Sequence, residues 1–149
     1  MKKQTVNDLI KKRELRNRMM DSSIWNDFDF RNDDIIIASY PKSGTTWMQQ
    51  IVGQLLLNGK EFDLKKISFW LDRNPDQRKK LEVLNMQTHR RFIQTHLPAD
   101  ALVFSPTAKY LYIVRDGRDI ILSYHHFVLN LDEQFFTLIN SNPGYEDYP

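Results

Sequence analysis

Residues 35–47 read Ile35-Ile36-Ile37-Ala38-Ser39-Tyr40-Pro41-Lys42-Ser43-Gly44-Thr45-Thr46-Trp47. A β-branched run feeds a tight polar loop, and the loop opens straight into a helical pattern. The run predicts a strand over 35–39. Beyond the loop, Trp47, Ile51 and Leu55, with Met48, Val52 and Leu56, repeat every three or four residues. That predicts a helix with a broad apolar face covering a sheet, ended by Asn58-Gly59. The first N–H groups of such a helix lack intrahelical partners, and its dipole favours negative charge. A lysine, a glycine and three hydroxyls at that junction ask for an anion.

Downstream of this unit the pattern repeats. Asn74-Pro75-Asp76 predicts a turn opening a polar helix over Gln77–Met86. Residues 91–95 predict a second strand, ended by His96-Leu97-Pro98, and 109–114 a third, bounded by Arg115-Asp116-Gly117. Helices are expected over 118–130 and, more weakly, over 132–140, with an aperiodic tail from Asn142. Upstream, Val6, Leu9 and Ile10 predict an amphipathic N-terminal helix whose basic face carries Lys11-Lys12-Arg13, and Trp25, Phe28 and Phe30 are expected to anchor a loop. Alternating strands and helices predict an α/β fold, a parallel sheet flanked by helices. Ligands of such sheets bind at the carboxyl ends of the strands. All three strands end in the chain's most polar, chemically suggestive residues: 41–46, 94–96 and 115–118.

Composition narrows the possibilities. The 149 residues match one domain, and 41% hydrophobic with 27% charged residues is ordinary globular usage. A net charge of +2 is too small to imply a nucleic-acid or anionic-membrane partner on its own, and leaves room for a local basic pocket for a small anion. No cysteine is present, which removes disulfides and thiolate metal sites and fits a reducing compartment. No apolar run approaches the ~20 residues of a membrane span, and the first residues lack the apolar core of a secretory signal. The expectation is a cytoplasmic protein.

The loop is not a Walker A sequence, because Lys42 precedes the loop's one glycine, Gly44, and no glycine lies at the required distance upstream. An ordinary ATP or GTP hydrolase is therefore disfavoured, and a nucleoside or nucleotide kinase is weakened on the same ground. Arg115 and Ser123, eight residues apart, join a strand end to the second turn of a helix and suit one phosphate. Arg118-Asp119 reads more simply as a first-turn charge pair. No set of His89, His96, His125 and His126 has zinc-ligand spacing, so no metal is expected.

Tyr40-Pro41-Lys42-Ser43-Gly44-Thr45-Thr46-Trp47 resembles the 5′-phosphosulfate loop of the sulfotransferases that use 3′-phosphoadenosine 5′-phosphosulfate (PAPS). Phe92 to Pro98 resembles the family's strand ending in Lys-Thr-His-Leu-Pro. Tyr112 to Asp119, continued by Ser123-Tyr124-His125-His126-Phe127, resembles its 3′-phosphate motif. The resemblance implies a P-loop-like, three-layer sulfotransferase domain that moves a sulfuryl group from PAPS to a hydroxyl or amine of a small-molecule acceptor. Adenosine 3′,5′-bisphosphate is left, and no metal is required. It implies that Lys42 stabilises charge on the bridging oxygen while Ser43, Gly44, Thr45 and Thr46 hold the phosphosulfate. It further implies that Trp47 stacks on adenine, that His96 is the base, and that Arg115 with Ser123 takes the 3′-phosphate. Two alternatives stay beside these roles: Thr46 as a plain helix cap, and Trp47 as a core residue on the face it shares with Ile51 and Leu55.

Two departures stand out. Gln94 occupies a position where the family often has lysine, and cytosolic family members are about twice this length. The expectation is an incomplete domain: 1–30 as a helix and lead-in, and 31–149 as the N-terminal part, with the loop at 40–47, the base strand at 91–98 and the 3′-phosphate motif at 112–127. A missing C-terminal half or a homo-oligomer would be its partner, and a non-catalytic or partner-dependent nucleotide-binding module is the second reading. Phe69, Trp70, Tyr124 and Phe127 are candidates for the acceptor pocket or for the core.

Overall fold

The computed structural model describes residues 10–131. Its elements are β1 (Ile35–Ser39), α1 (Thr45–Leu56), α2 (Leu64–Ile67), α3 (Gln77–Met86), β2 (Phe92–Thr95), β3 (Lys109–Ile113) and α4 (Gly117–Leu129). Short 3₁₀ turns occur at Ser22–Asn26 and Ala99–Ala101. The strands form one parallel sheet in the order β2-β1-β3, with Ile35 opposite Phe92 and Lys109, and Ala38 opposite Thr95 and Tyr112. This register brings the carboxyl ends of all three strands to one edge. The loop, His96 and Arg115 follow directly from those ends.

The central strand is buried on both faces, which is why it reads as an unbroken isoleucine run. Ile36 and Ile93 point into a cluster with Leu15, Ile24, Trp25, Phe28, Leu71, Leu81 and Leu84. Ile35, Ile37 and Phe92 point the other way, onto Val52, with Met48, Leu56, Leu64 and Ile67 around them. The sheet is thus the middle of three layers. One outer layer holds α1 and α2, and the other holds α3 and the lead-in residues. Each fully buried Ile or Phe contributes about 1.5–3 kcal/mol.

Two sequence expectations change. Val6 and Leu9 of the expected N-terminal helix lie outside the described residues, but Ile10 to Asp21 is not helical. The backbone there is satisfied from elsewhere. Lys12 N–H donates to the Asp100 carbonyl at 2.7 Å, Leu15 N–H to Ser22 Oγ at 2.9 Å, and Met19 and Met20 N–H to Asn17 Oδ1 at 2.9 and 2.8 Å. Local side-chain acceptors of this kind compete with a helix. Secondly, only half of α1's apolar face meets the sheet: Val52 is buried with Met48 and Leu56 beside it, whereas Trp47 and Leu55 are 78% and 73% exposed. The helix expected at 132–140 and the tail lie outside the described residues.

The aromatics of the lead-in do anchor it. Trp25 and Phe28 are buried, and Phe28 and Phe30 pack edge to face at 4.8 Å. No helix among the described residues is long and apolar enough to cross a membrane.

Candidate functional site

The loop between β1 and α1 turns through two residues of positive φ, Lys42 at 68° and Gly44 at 102°. Glycine takes this conformation without strain, but a lysine does so only where its surroundings hold it there. Gly44 is the N-cap of α1 and gives no side-chain cap; Thr45 is the first helical residue and Thr46 is exposed beyond it. Thr46 is therefore not the cap. The helix N-terminus is left without a side-chain acceptor, and the space before Gly44 is open, with nothing within 4 Å of where a Cβ would stand. Ser43 Oγ is buried without a hydrogen-bond partner. Buried hydroxyls are normally partnered. An uncapped helix start, an unpartnered buried hydroxyl and an open approach fit an incoming oxyanion.

The hydroxyl of Thr45 is used differently. Its Oγ1 lies 2.5 Å from Ser39 Oγ, inside the protein, and so ties the end of β1 to the first turn of α1. Of the three loop hydroxyls, those of Ser43 and Thr46 have no partner among the described residues.

Arg115, just past β3, reaches across to the same loop. Its Nη1 donates to the Lys42 carbonyl at 3.2 Å, while Nε lies 3.5 Å from Asp119 Oδ2. Arg118 is committed elsewhere, to Asp116, through Nε at 3.1 Å and Nη2 at 2.8 Å. Asp116 also caps α4, accepting from Arg118 N–H at 2.9 Å. The expected Arg118–Asp119 pair is thus replaced by two pairs, Arg118 with Asp116 and Arg115 with Asp119. Ser123 is half-buried on the second turn of α4. Lys42 Nζ stands 4.7 Å from the centroid of the Phe127 ring on that helix. The loop after β1 and the strand-to-helix junction after β3 are therefore neighbours.

His96 follows β2. Its Nδ1 lies 2.7 Å from the Ser39 carbonyl oxygen, and its Nε2 lies 2.9 Å from Gln94 Nε2. A carbonyl oxygen can only accept, so Nδ1 carries the proton. In the neutral ring Nε2 then holds the lone pair, and Gln94 donates to it. Burial pushes the imidazole below its ordinary value, opposed by the bond to Ser39. The ring plane is set by Trp70, packed edge to face at 4.6 Å.

Trp70 is itself held from behind. Its indole N–H donates to Asp72 Oδ1 at 2.5 Å, while Trp25 Nε1 and Thr95 Oγ1 donate to Asp72 Oδ2 at 2.8 and 2.6 Å. Asp72 is completely buried. Desolvation pushes its carboxyl up, and the three donors oppose that shift. The result is a fixed floor under the residue that carries the lone pair.

The fold brings together Lys42, Ser43, Gly44, Thr45, Thr46, Arg115 and His96 at one edge of the sheet. Trp47 sits on the first turn of α1, exposed rather than in the core, and Ile51 and Leu55 further along the helix are exposed too. His89 is outside this group, its Nδ1 donating to the Arg90 carbonyl at 2.9 Å, and His125 and His126 are exposed on α4. Among the described residues no group of acidic or histidine side chains is arranged to hold a metal. Of the acceptor-pocket candidates, Phe69 packs against the core and Trp70 supports His96, while Tyr124 and Phe127 lie together on α4 at 6.1 Å. Ser39, Asp72 and the support role of Trp70 have no local signature, since each acts through a partner distant in sequence.

Residues 32–148 match the family model described as a sulfotransferase domain. A glycolipid sulfotransferase of Mycobacterium tuberculosis is 34% identical over 128 residues, 84% of this chain and 39% of that protein. Sulfotransferase 1B1 of Canis lupus familiaris is 38% identical over 112 residues, 68% of this chain and 38% of the relative. The chain thus spans about two fifths of the length of these relatives. Among solved structures, mouse sulfotransferase SULT7A1 complexed with PAP aligns over 80% of this chain and 43% of its own, with a TM-score of 0.55 and 26% identity. Retinol dehydratase in complex with retinol and PAP aligns over 75% and 45%, with a TM-score of 0.54 and 25% identity.

Proposed function

Because the chain belongs to the sulfotransferase domain family, we propose that it binds PAPS at the carboxyl edge of its sheet and serves sulfuryl transfer to a hydroxyl or amine of a small-molecule acceptor. The observation that carries this reading is the juxtaposition of an uncapped anion loop on β1 with a histidine whose Nε2 bears the lone pair, its Nδ1 bonded to the last residue of that same strand.

The donor supplies an activated sulfuryl group on a phosphate. In this reading the N–H groups at the start of α1 and the hydroxyls of Ser43 and Thr46 hold its oxygens, and Lys42 stabilises negative charge on the departing phosphate oxygen. Such preorganised donors are worth about 10²–10³ in rate each. Arg115, with Ser123, takes the second phosphate, and Trp47 offers an exposed face to a base. The acceptor's proton passes to His96 Nε2, the O–H electron pair becomes the new O–S bond, and the old S–O pair leaves on the phosphate. A neutral imidazole suits this step, and a positioned base contributes about 10²–10⁴.

The apolar surface on the β3 side favours a second reading. Tyr112, Val114, Ile121 and Leu129 are between 67% and 75% exposed, and α4 has no buried residue. On this reading the chain holds the nucleotide, and turnover needs further polypeptide against that face.

One experiment tests both. Calorimetry with adenosine 3′,5′-bisphosphate and with ATP, in chelator, is paired with transfer of radiolabelled sulfate from PAPS to phenolic, alcoholic and amine acceptors. Metal-independent preference for the bisphosphate with transfer supports the first reading, and binding without transfer supports the second. Failure to prefer the bisphosphate over ATP overturns both.

A further inference from the structure

Gln94 and His96 project from the same end of β2, and their side chains meet at Nε2 of the ring, 2.9 Å apart. The Gln94 backbone and the His96 ring are both held from several sides. The Gln94 backbone is pinned on both sides, its N–H donating to the Phe69 carbonyl at 2.9 Å and its carbonyl accepting from Leu71 N–H at 3.3 Å. The ring is pinned by Ser39 through Nδ1 and by the edge-to-face contact with Trp70. The freedom left in the pair lies in the Gln94 side chain, including rotation of its amide plane.

We propose that Gln94 is a positioning residue that partners His96 in both protonation states, donating from its NH2 to Nε2 of the neutral ring and, turned over, accepting from Nε2–H of the imidazolium through Oε1. This rests on the reading of His96 as the base. A primary amide carries a donor and an acceptor at matching distances from its last carbon. A lysine at this position has only donors and serves the neutral ring alone, while a glutamate serves the charged ring alone. The acceptor hydroxyl displaces the amide to reach Nε2. Once the proton has moved from that hydroxyl to Nε2, Oε1 can close on the new N–H without any rotation of the ring.

The charged groups on the surrounding elements are Asp72 behind Trp70, Lys42 on the loop after β1 and Arg115 after β3, with Asp119 and the exposed His125 and His126 on α4. No hydrogen bond joins any of them to the ring. Burial is the main influence holding the imidazole down, and an uncharged partner that serves both states adds little bias of its own.

The test is a pH titration of the whole chain by NMR, following the His96 ring and the Gln94 side-chain NH2, with Gln94→Met, Gln94→Glu and Gln94→Lys alongside and His96→Asn for assignment. In the unmodified chain the Gln94 amide signals should shift with the same midpoint as His96. Gln94→Glu should raise that midpoint and Gln94→Lys lower it, each by about one pH unit, or tenfold in proton affinity. Gln94→Met should leave it within about 0.3 unit. A Gln94 amide that ignores the His96 titration overturns the proposal, even if every variant misfolds. So does a Gln94→Met midpoint that rises as far as Gln94→Glu, because Gln94 would then serve the neutral ring only. Calorimetry with the bisphosphate on the same samples separates this from the sulfotransferase reading: absent binding with intact coupled titration overturns that reading and leaves the Gln94–His96 partnership standing.

Discussion

The Arg115 guanidinium donates to the main-chain carbonyl of Lys42, 3.2 Å away, so the cation after β3 braces the loop after β1. That contact uses one N–H of the fork and Nε faces Asp119, which leaves the remaining N–H groups to face a ligand. Replacing Arg115 by alanine should weaken adenosine 3′,5′-bisphosphate by about 10–100-fold, the value of a charge-assisted hydrogen bond of roughly 1.5–3 kcal/mol. The side chain is exposed, so the unfolding midpoint should barely move. Calorimetry and a thermal melt on the same protein would check both halves.

His96→Ala should act on turnover instead, lowering it by about 10²–10⁴ while the bisphosphate affinity stays near its original value. The pH dependence follows from the direction of its shift. Burial holds the imidazole below its ordinary value of 6.5. The base form therefore persists to lower pH, and kcat/KM should be flat through neutrality and fall only as pH drops through the lowered value. Stability has the same sign. The unfolded chain binds this proton more readily, so the contribution is fully present above the unfolded value and is lost as pH falls through the native one. A pH–rate profile with its acid limb above 6.5 would contradict the assignment.

Trp47 separates a packing role from a binding role cleanly. At 78% exposure it covers no core, so Trp47→Ala should change stability by less than about 0.5 kcal/mol. If the indole carries a base, the same substitution should cost about 1–3 kcal/mol of nucleotide affinity. Unchanged affinity would remove Trp47 from the site.

Asp72 is the stability counterpart. Asp72→Ala strands two indole N–H groups and a hydroxyl in the interior, each at about 1–3 kcal/mol, and should lower unfolding stability by at least about 3 kcal/mol. Asp72→Asn keeps one acceptor and should lose less. Urea unfolding of the two variants would rank them, and an equal loss would mean that the donors find other partners.

How much of this was legible beforehand depended on distance along the chain. The bounds of β1 and the run Gln77–Met86 of α3 were readable because a strand and a helix leave their periods in adjacent residues. The loop was readable because its composition and its place between two periods coincide. Pairings across the fold leave no such trace. Arg91 and Asp34, 57 residues apart and joined at 2.5 Å with 0% and 1% side-chain exposure, look in sequence like two strand-edge charges. Asp72 sits in a stretch without period, and its three donors come from two other segments and from Trp70. The lead-in misled for the converse reason. Within the described residues no helix runs on from Ile10, because the oxygens of Asp100 and Ser22 take up the backbone N–H groups of 12, 13 and 15, and spacing along the chain says nothing of those partners.

The bond from the Trp25 indole to Asp72 gives the segment before the sheet a bearing on chemistry it never touches. The same carboxylate orients Trp70, against whose edge His96 rests, and holds the hydroxyl of Thr95, the residue before His96. A protease cut within residues 22–26 would therefore register first as a loosened imidazole, with lost alignment of Nε2 preceding any loss of the sheet. The opening segment serves as the foundation of the His96 ring.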